Sequence, residues 1–491
     1  AEFSSLDEAF AYATDNSYKF VVVNGSYVLR NDFAIPDGKF LDVTGTLTIG
    51  EGVTLTVAKN SKRLGVLEGG KVINNGTLLL LGEDGEGYFM VNGTFEGKLT
   101  APEGYAITKN GNSYRIINIA SAGVKVEYRD GTVQYFNNNI LTENAVKITL
   151  LKDLDSMISI NGTAKVTYDV EIDLGGHTLS KNITTGGGVI TVTYANVVIK
   201  NGKVLSTSVN GTNKPALKVN SHGNVTVNSD AVLDGNTTQP AIYLEGGSVT
   251  LYGTATSAGN YAITTQGLND SDSEIIIKDG AFVTAENGAA IYNPHGDVII
   301  EGGTISGKLG VQICAGSLSI SGNAQISATG EVESHQGDGP VFDGSAVSII
   351  DRAGVYTGLV SIEITGGTFT SAHGTAVRAF AYDDTTESAF DNSSKVVKVS
   401  GGTFSSEVDA SLLKDGYKLV KVNGTYGVYE KQILGASVTL GEDISFNYYV
   451  KTKTDSTVVT VKYMKNGVLT EETLTDFVAM TNSKYAGKYV F

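Results

Sequence analysis

The chain has no tryptophan, one cysteine, four methionines and six prolines in 491 residues. The lone Cys314 excludes an intramolecular disulfide, and with no histidine or helix start beside it, it reads as a small buried apolar residue rather than a reactive thiol. Six prolines against 60 glycines exclude collagen and argue against a Pro-rich disordered chain. No run of 18 apolar residues is present, which removes a membrane-spanning helix. No signal peptide opens the chain; Ala1-Glu2-Phe3 reads as a mature start or an expression remnant, so export is inferred indirectly. Positive charge is scarce: 36 basic against 52 acidic residues give −16, which opposes unassisted binding to nucleic acid or anionic lipid. At 18% charged residues, the chain is not a solvated tail either.

What the sequence does contain is repetition. Between Glu274 and Ser406 an apolar run, a glycine pair and a Thr-apolar step return three times: Val298-Ile299-Ile300 before Gly302-Gly303-Thr304-Ile305, Ile362-Glu363-Ile364 before Gly366-Gly367-Thr368-Phe369, and Val397-Lys398-Val399 before Gly401-Gly402-Thr403-Phe404. Looser copies carry Gly280 and Gly322. Gly280 to Gly302 is 22 residues, Gly302 to Gly322 is 20, and Gly322 to Gly366 is 44, read as two steps of 22. A period of that size predicts a solenoid in which each coil buries its apolar face only by stacking on the next. Period-two alternation turns Val298, Ile300 and Ile305 inward and Glu301 and Ser306 outward. The fold class is therefore all-β, a right-handed parallel β-helix.

In chain order, Ser4 to Thr14 predicts a capping helix with Leu6, Phe10 and Ala13 on one face. Short alternating strands from Phe33 to Leu99 form a small first β-helix. It closes at Tyr105 and Tyr114, and that signature returns at Tyr417 and Tyr426. The expected organisation is a small N-terminal β-helix over 1–118, a connecting hairpin over 119–139, the main right-handed β-helix over 140–431, and a β-sandwich-like module over 432–491, cut from a longer protein.

Leu150-Leu151-Lys152-Asp153, Asp173-Leu174-Gly175-Gly176-His177-Thr178-Leu179, the Gly-Gly-Thr-Phe rungs and the Asp415-Gly416-Tyr417 hairpin together resemble the pectate-lyase-like β-helix repeats of adhesin-like surface proteins from anaerobic gut bacteria. The likeness runs over roughly 4–429. It implies an exported cell-surface protein, and implies little about activity, because that family is defined by its rungs. Gly175 stands where those proteins usually have Asn.

Several residue groups are weighed for chemistry. Fold alone does not decide between adhesins and polysaccharide-degrading enzymes. Asp383-Asp384 is the only adjacent aspartate pair and, with Arg378, is the sharpest hydrolase candidate; its alternative is a solvated acidic loop. Asp343, Asp351 and Arg352 supply the residue types of a lyase without a recognisable spacing. The excursions from Glu331 to Gly339, with His335 and Asp338, and from Tyr382 to Ser394, with Glu387 and Asp391, mark the loop-bearing face. Asn269 to Glu274 alternates oxygen ligands but lacks the calcium-loop pattern. His177, His222, His295, His335 and His373 lack zinc spacing. Asn-Gly-Ser/Thr triplets at Asn24, Asn75, Asn92, Asn161, Asn210 and Asn423 match a glycosylation pattern and read as tight turns. Tyr243, Tyr252, Tyr261, Tyr292, Tyr356 and Tyr382 are candidates for sugar stacking or for covering the stack.

The sequence thus reads as a non-catalytic bacterial surface protein at the cell exterior, presenting a β-helix face to glycans or to host or bacterial surface proteins. No catalytic residue, cofactor or metal is assigned, and neither nucleic acid nor membrane insertion is expected. The alternatives are a polysaccharide lyase or glycoside hydrolase acting in the loops from His335 to Asp391, and a passive stalk.

Overall fold

Through the coils, strands pair in parallel with the strand one repeat further on, and antiparallel hairpins interrupt the series. The computed structural model describes the whole chain except 84–85, 165–166, 212, 260, 268–271, 336, 353–354, 423, 431–432, 441–443, 451–458, 466–467, 475–477, 480–488 and 491. The chain divides into two compact units, Ala1–Gln266 with Asp270–Gly288, and Ala289–Phe491 with Gly267–Asn269.

In the first unit, Phe20–Val23, Phe40–Val43, Arg63–Val66 and Tyr88–Val91 form one parallel sheet. Ser26–Leu29, Thr46–Ile49, Lys71–Asn74 and Thr94–Glu96 form a second. Phe33–Ala34, Thr54–Val57, Thr77–Leu80 and Leu99–Thr100 form a third. Each coil therefore contributes one strand to each sheet, and alternate residues such as Leu41, Leu64, Leu47, Val72, Leu55 and Leu78 are fully buried between the three. Such long parallel sheets are consistent with a β-helix.

The helix α1 (Leu6–Asp15) is capped by Ser5, whose side chain accepts from the Glu8 N–H. Its buried face of Leu6, Phe10 and Ala13 covers the open end of the core, with the Phe10 and Phe33 rings 5.4 Å apart. At one corner the coils stack through glycine. A Cβ built on Gly45 would strike the Gly25 carbonyl, and one on Gly93 the Gly70 carbonyl, because neighbouring coils approach at strand spacing there. Gly25, at the end of this column, has open space.

The last coil of this run is closed by an antiparallel hairpin. Ser113–Asn118 pairs with Tyr105–Asn110 and, through Phe89 opposite Tyr114, with the final parallel strand. The next run begins on another reversed strand: Val124–Tyr128 is antiparallel to both Val133–Phe136 and Ala145–Leu150. Parallel coils then resume through Tyr168–Asp173, Ala195–Lys200, Asn224–Val227, Gly247–Leu251 and Ser273–Ile277.

The second unit holds the Gly-Gly-Thr rungs. Asp297–Ile300, Gly316–Ile320, Leu359–Ile364 and Val397–Val399 are one parallel series. Ile305, Ile326, Phe369 and Phe404 are in register along another. Val298, Ile300 and Ile305 are fully buried. The Phe369 and Phe404 rings stack 4.9 Å apart, and Gly402 lies against them at φ +102, where a Cβ would sit 2.9 Å from the Phe404 ring. The rung motif is thus a ring plus the gap that admits it.

One repeat reading is corrected. The 44 residues from Gly322 to Gly366 are a single coil, since Ile326 pairs directly with Phe369; the extra length is an excursion. A second Tyr-bearing hairpin, Tyr417–Val422 with Thr425–Glu430, runs antiparallel to Thr403–Phe404. From Ile433 the strands are antiparallel, Ile433–Leu440 with Ile444–Val450 and Val459–Lys465 with Val468–Leu474. The Asn466-Gly467 pair, whose sequence reads as a tight turn, lies outside the described residues.

Candidate functional site

Both long excursions of the second unit leave one row of strands. Val347–Asp351 pairs with Val311 to Ile313 on one side and with Val377–Tyr382 on the other, placing Gln312, Ser348 and Arg378 in line. Alternation puts Ser348, Ile350 and Arg352 on one side of their strand, and Arg378, Phe380 and Tyr382 on the same side of theirs. On a bare coil this polar row would be wet. Gln312, Ser348 and Arg352 are instead fully buried, because the segment following Ala328 folds back over them.

Two anchors hold that segment. In the first, Gln312 Oε1 accepts from the Val341 N–H at 3.0 Å. Asp343 accepts from the Ser345 N–H and the Ser348 hydroxyl, both at 3.0 Å, and lies 3.6 Å from Arg378, which also pairs with Glu387 at 2.6 Å. Burial pushes the Asp343 carboxyl above its usual range despite these bonds.

The second anchor is Arg352. Its Nη2 donates to the Gly337 carbonyl at 3.0 Å and lies 2.9 Å from Asp384 Oδ1; its Nη1 donates to the Gly339 carbonyl at 3.2 Å and reaches the Tyr292 hydroxyl at 3.4 Å and Asp338 Oδ1 at 3.5 Å. The Tyr356 and Tyr382 rings lie 5.7 and 5.2 Å from the guanidinium carbon. Tyr356 donates to Asp338 Oδ1 at 2.8 Å, the Gly337 N–H donates to the Asp384 carbonyl at 2.9 Å, and Tyr382 donates to the His335 carbonyl at 3.3 Å. One buried cation thus joins Gly337, Asp338 and Gly339 to Tyr382 and Asp384. Asp384 adopts φ +70, and by doing so its carboxylate meets Arg352.

The candidate residues separate accordingly. Asp383 Oδ1 accepts from the Thr385 and Thr386 N–H groups and the Thr385 hydroxyl, a self-contained turn that lowers its pKa through the Thr385 hydroxyl first. Asp383 and Asp384 therefore face different partners, and Arg378 serves Asp343 and Glu387 rather than the aspartate pair. Asp351 alternates away from Arg352. Asp391 accepts from the Ser393 N–H in a turn of its own.

Cys314 is fully buried, and burial pushes its thiol up to about 12. Tyr243, Tyr292 and Tyr382 are buried as well, which fits the second of their two readings, covering the stack, rather than sugar stacking: Lys218 covers Tyr243 at 5.6 Å, and the Arg352 knot takes the other two. Tyr252 is exposed. His222 stacks on Tyr194 at 4.9 Å and His177 lies 3.7 Å from Asp153. Among the described residues no group of three His, Cys, Asp or Glu could hold a metal. The acidic turn candidate at 269–271 and the triplet asparagine at 423 lie outside the described residues.

Chemically, Arg352 has no exposed face to offer a ligand. What reaches solvent is Asp338, whose side chain is 78% exposed although its Oδ1 is held, with the half-buried His335 nearby, its Nε2 on the Gly337 carbonyl at 2.8 Å. The burial of Gln312 and Ser348 was not foreseen; the only signal is polar residues at strand positions of coils that carry an insertion.

No protein-family model matches the chain, and no curated protein matches it. Among solved structures, a tailspike of the Acinetobacter baumannii bacteriophage AP22, in complex with A. baumannii capsular saccharide, is similar to 80% of this chain over 76% of its own, with 10% identity and a TM-score of 0.24. A likeness that slight carries no weight for function. The resemblance to adhesin-like surface proteins rests on the sequence motifs.

Proposed function

We propose that this chain is a non-catalytic, exported bacterial surface protein of adhesin-like kind, in which the excursions around Asp338 and Asp384 form a binding platform for a glycan or a partner protein. The observation that carries this reading is Arg352. A fully buried arginine that ties two loops to each other and to the coils fixes their shape before any ligand arrives, and a pre-shaped loop on a rigid scaffold lowers the ordering cost of binding. The coils are proposed to wind in the right-handed sense, as parallel strands joined by crossovers do in nearly all sheets, and the antiparallel strands after Ile433 to form a β-sandwich-like module.

The test is incubation with plant, mucin and bacterial polysaccharides, reading product masses and co-sedimentation together. Retention without cleavage, weakened by Asp338→Asn, supports the platform. Shortened or unsaturated oligosaccharides, lost on changing Asp338 or Asp384, would make the chain a hydrolase or lyase. Neither retention nor cleavage, with no surface protein captured, would leave a passive stalk.

A further inference from the structure

The first unit carries a concave site of a different kind. Beside the closing hairpin Tyr105–Asn110 and Ser113–Asn118 lies a cavity of about 220 Å³, walled by Lys109, Asn110 and Arg115 on one side and by Asn137, Asn138 and Asn139 on the other. In the hairpin register Lys109 stands opposite Tyr114 and Arg115 opposite Thr108, so the two side chains leave opposite faces of the ribbon and Arg115 shares its face with Thr108 and Asn110. Among the described residues neither has a carboxylate partner: Lys109 lies over the Tyr114 ring at 5.3 Å and Arg115 over the Tyr88 ring at 5.1 Å. Arg115 Nε is buried without a hydrogen bond. The one acidic side chain described in the wall is Glu83, which lies 3.7 Å from Lys59.

The duplicated hairpin supplies an internal control. Lys421 lies over Tyr426 at 5.1 Å, repeating the Lys109–Tyr114 pair at the same register. At the position after that tyrosine, however, it has Gly427 where the first hairpin has Arg115. Closing a coil this way therefore does not call for an arginine.

We infer that this hollow binds the carboxylate-bearing ring of an acidic sugar. A guanidinium fork matches a carboxylate, and carboxamides, each with donors and an acceptor, match the vicinal hydroxyls of a sugar. The volume, below the roughly 300–1,000 Å³ of drug-sized sites, holds one ring rather than an oligosaccharide. The site belongs to the first unit, and the inference does not rest on the Arg352 platform.

The experiment is an NMR or calorimetric titration of the full chain with galacturonate and glucuronate, alongside the methyl ester of galacturonate, galactose and acetate. The uronates are expected to bind while the ester, galactose and acetate bind far more weakly; Arg115→Gln is expected to weaken uronate binding by about tenfold or more, and Asn138→Asp to do the same by adding a like charge. Lys421→Gln, in the hairpin without the arginine, is expected to leave uronate affinity unchanged. Equal binding of acetate would reduce the hollow to an anion site, equal binding of galactose would remove the role of the guanidinium, and no uronate binding, or binding indifferent to Arg115→Gln in a variant that melts like the parent, would each overturn the inference.

Discussion

Arg352 and Asp384 lie 32 positions apart and meet at 2.9 Å between Nη2 and Oδ1, one side chain fully buried and the other 28% exposed. The ion pair closes a loop-to-loop contact that no backbone pairing of the coils requires.

Replacing that arginine should loosen the excursions and spare the coils. Arg352→Met removes the donors to Gly337 and Gly339 and leaves Asp384 without its partner; breaking a buried pair costs about 3–5 kcal/mol, and less here because the partly exposed Asp384 can regain water. Limited proteolysis should show new cuts within 331–343 and 382–391, with the far-ultraviolet β signal kept. Arg352→Lys should not restore protection, since one ammonium cannot reproduce the fork. Unchanged cleavage in the Met variant would remove Arg352 as the clasp.

The buried Asp343 carboxyl has a raised pKa in the fold, so the folded state holds that proton more tightly than the unfolded chain. Its contribution to stability is complete below the ordinary carboxylate pKa and is lost as pH rises through the folded value. Asp343→Asn keeps an acceptor for the Ser345 N–H and can donate to Ser348, while Arg378 retains Glu387. Denaturant titrations from about pH 4 to neutrality should show the variant losing less stability with rising pH than the parent. A steeper loss would place the charge, not its burial, in control.

The glycine column at the corner predicts a position effect. Gly93→Ala forces a methyl into the Gly70 and Leu67 carbonyls and should cost about 1–3 kcal/mol, whereas Gly25→Ala meets open space and should stay within about 0.5 kcal/mol of the parent. Thermal melting of the two variants decides it; equal shifts would mean that coil spacing is not what selects glycine.

Cys314 should resist alkylation. With no exposed surface and a thiol held up to about 12, it should stay unlabelled by a thiol reagent at pH 8 in the folded protein and react stoichiometrically in denaturant. Rapid native labelling would show that the strand row over it opens.

How far the sequence carried these features follows from their periodicity. Val298, Ile300 and Ile305 announced their burial by alternation, and the Gly-Gly-Thr-Phe rungs announced their stacking by return. The misread 44-residue step shows the limit: Gly322 and Gly366 keep the repeat's arithmetic whether two coils or one enlarged coil lies between them, and only the pairing of Ile326 with Phe369 separates the cases. The Arg352 knot has no period at all. Its hydrogen-bond partners stand between 13 and 60 positions away, and an arginine at a strand end ordinarily means solvent. Asp383 and Asp384 were adjacent, and adjacency suggested a shared task; the left-handed turn at Asp384 sends the second carboxylate inward while the first folds onto its own threonines.

The reversed strands that finish each run of coils have a consequence for assembly. A parallel coil can in principle be extended without limit, since its last strand offers the same edge as its first. At Phe89 with Tyr114, and again at Phe404 with Tyr426, the direction flips. The edge then on offer has the hydrogen-bond spacing of an antiparallel ribbon, which an incoming parallel coil does not match. Each hairpin acts as a chain terminator for stacking, so a protein built from a self-templating repeat is kept at a fixed length at those ends and does not seed a fibre through them.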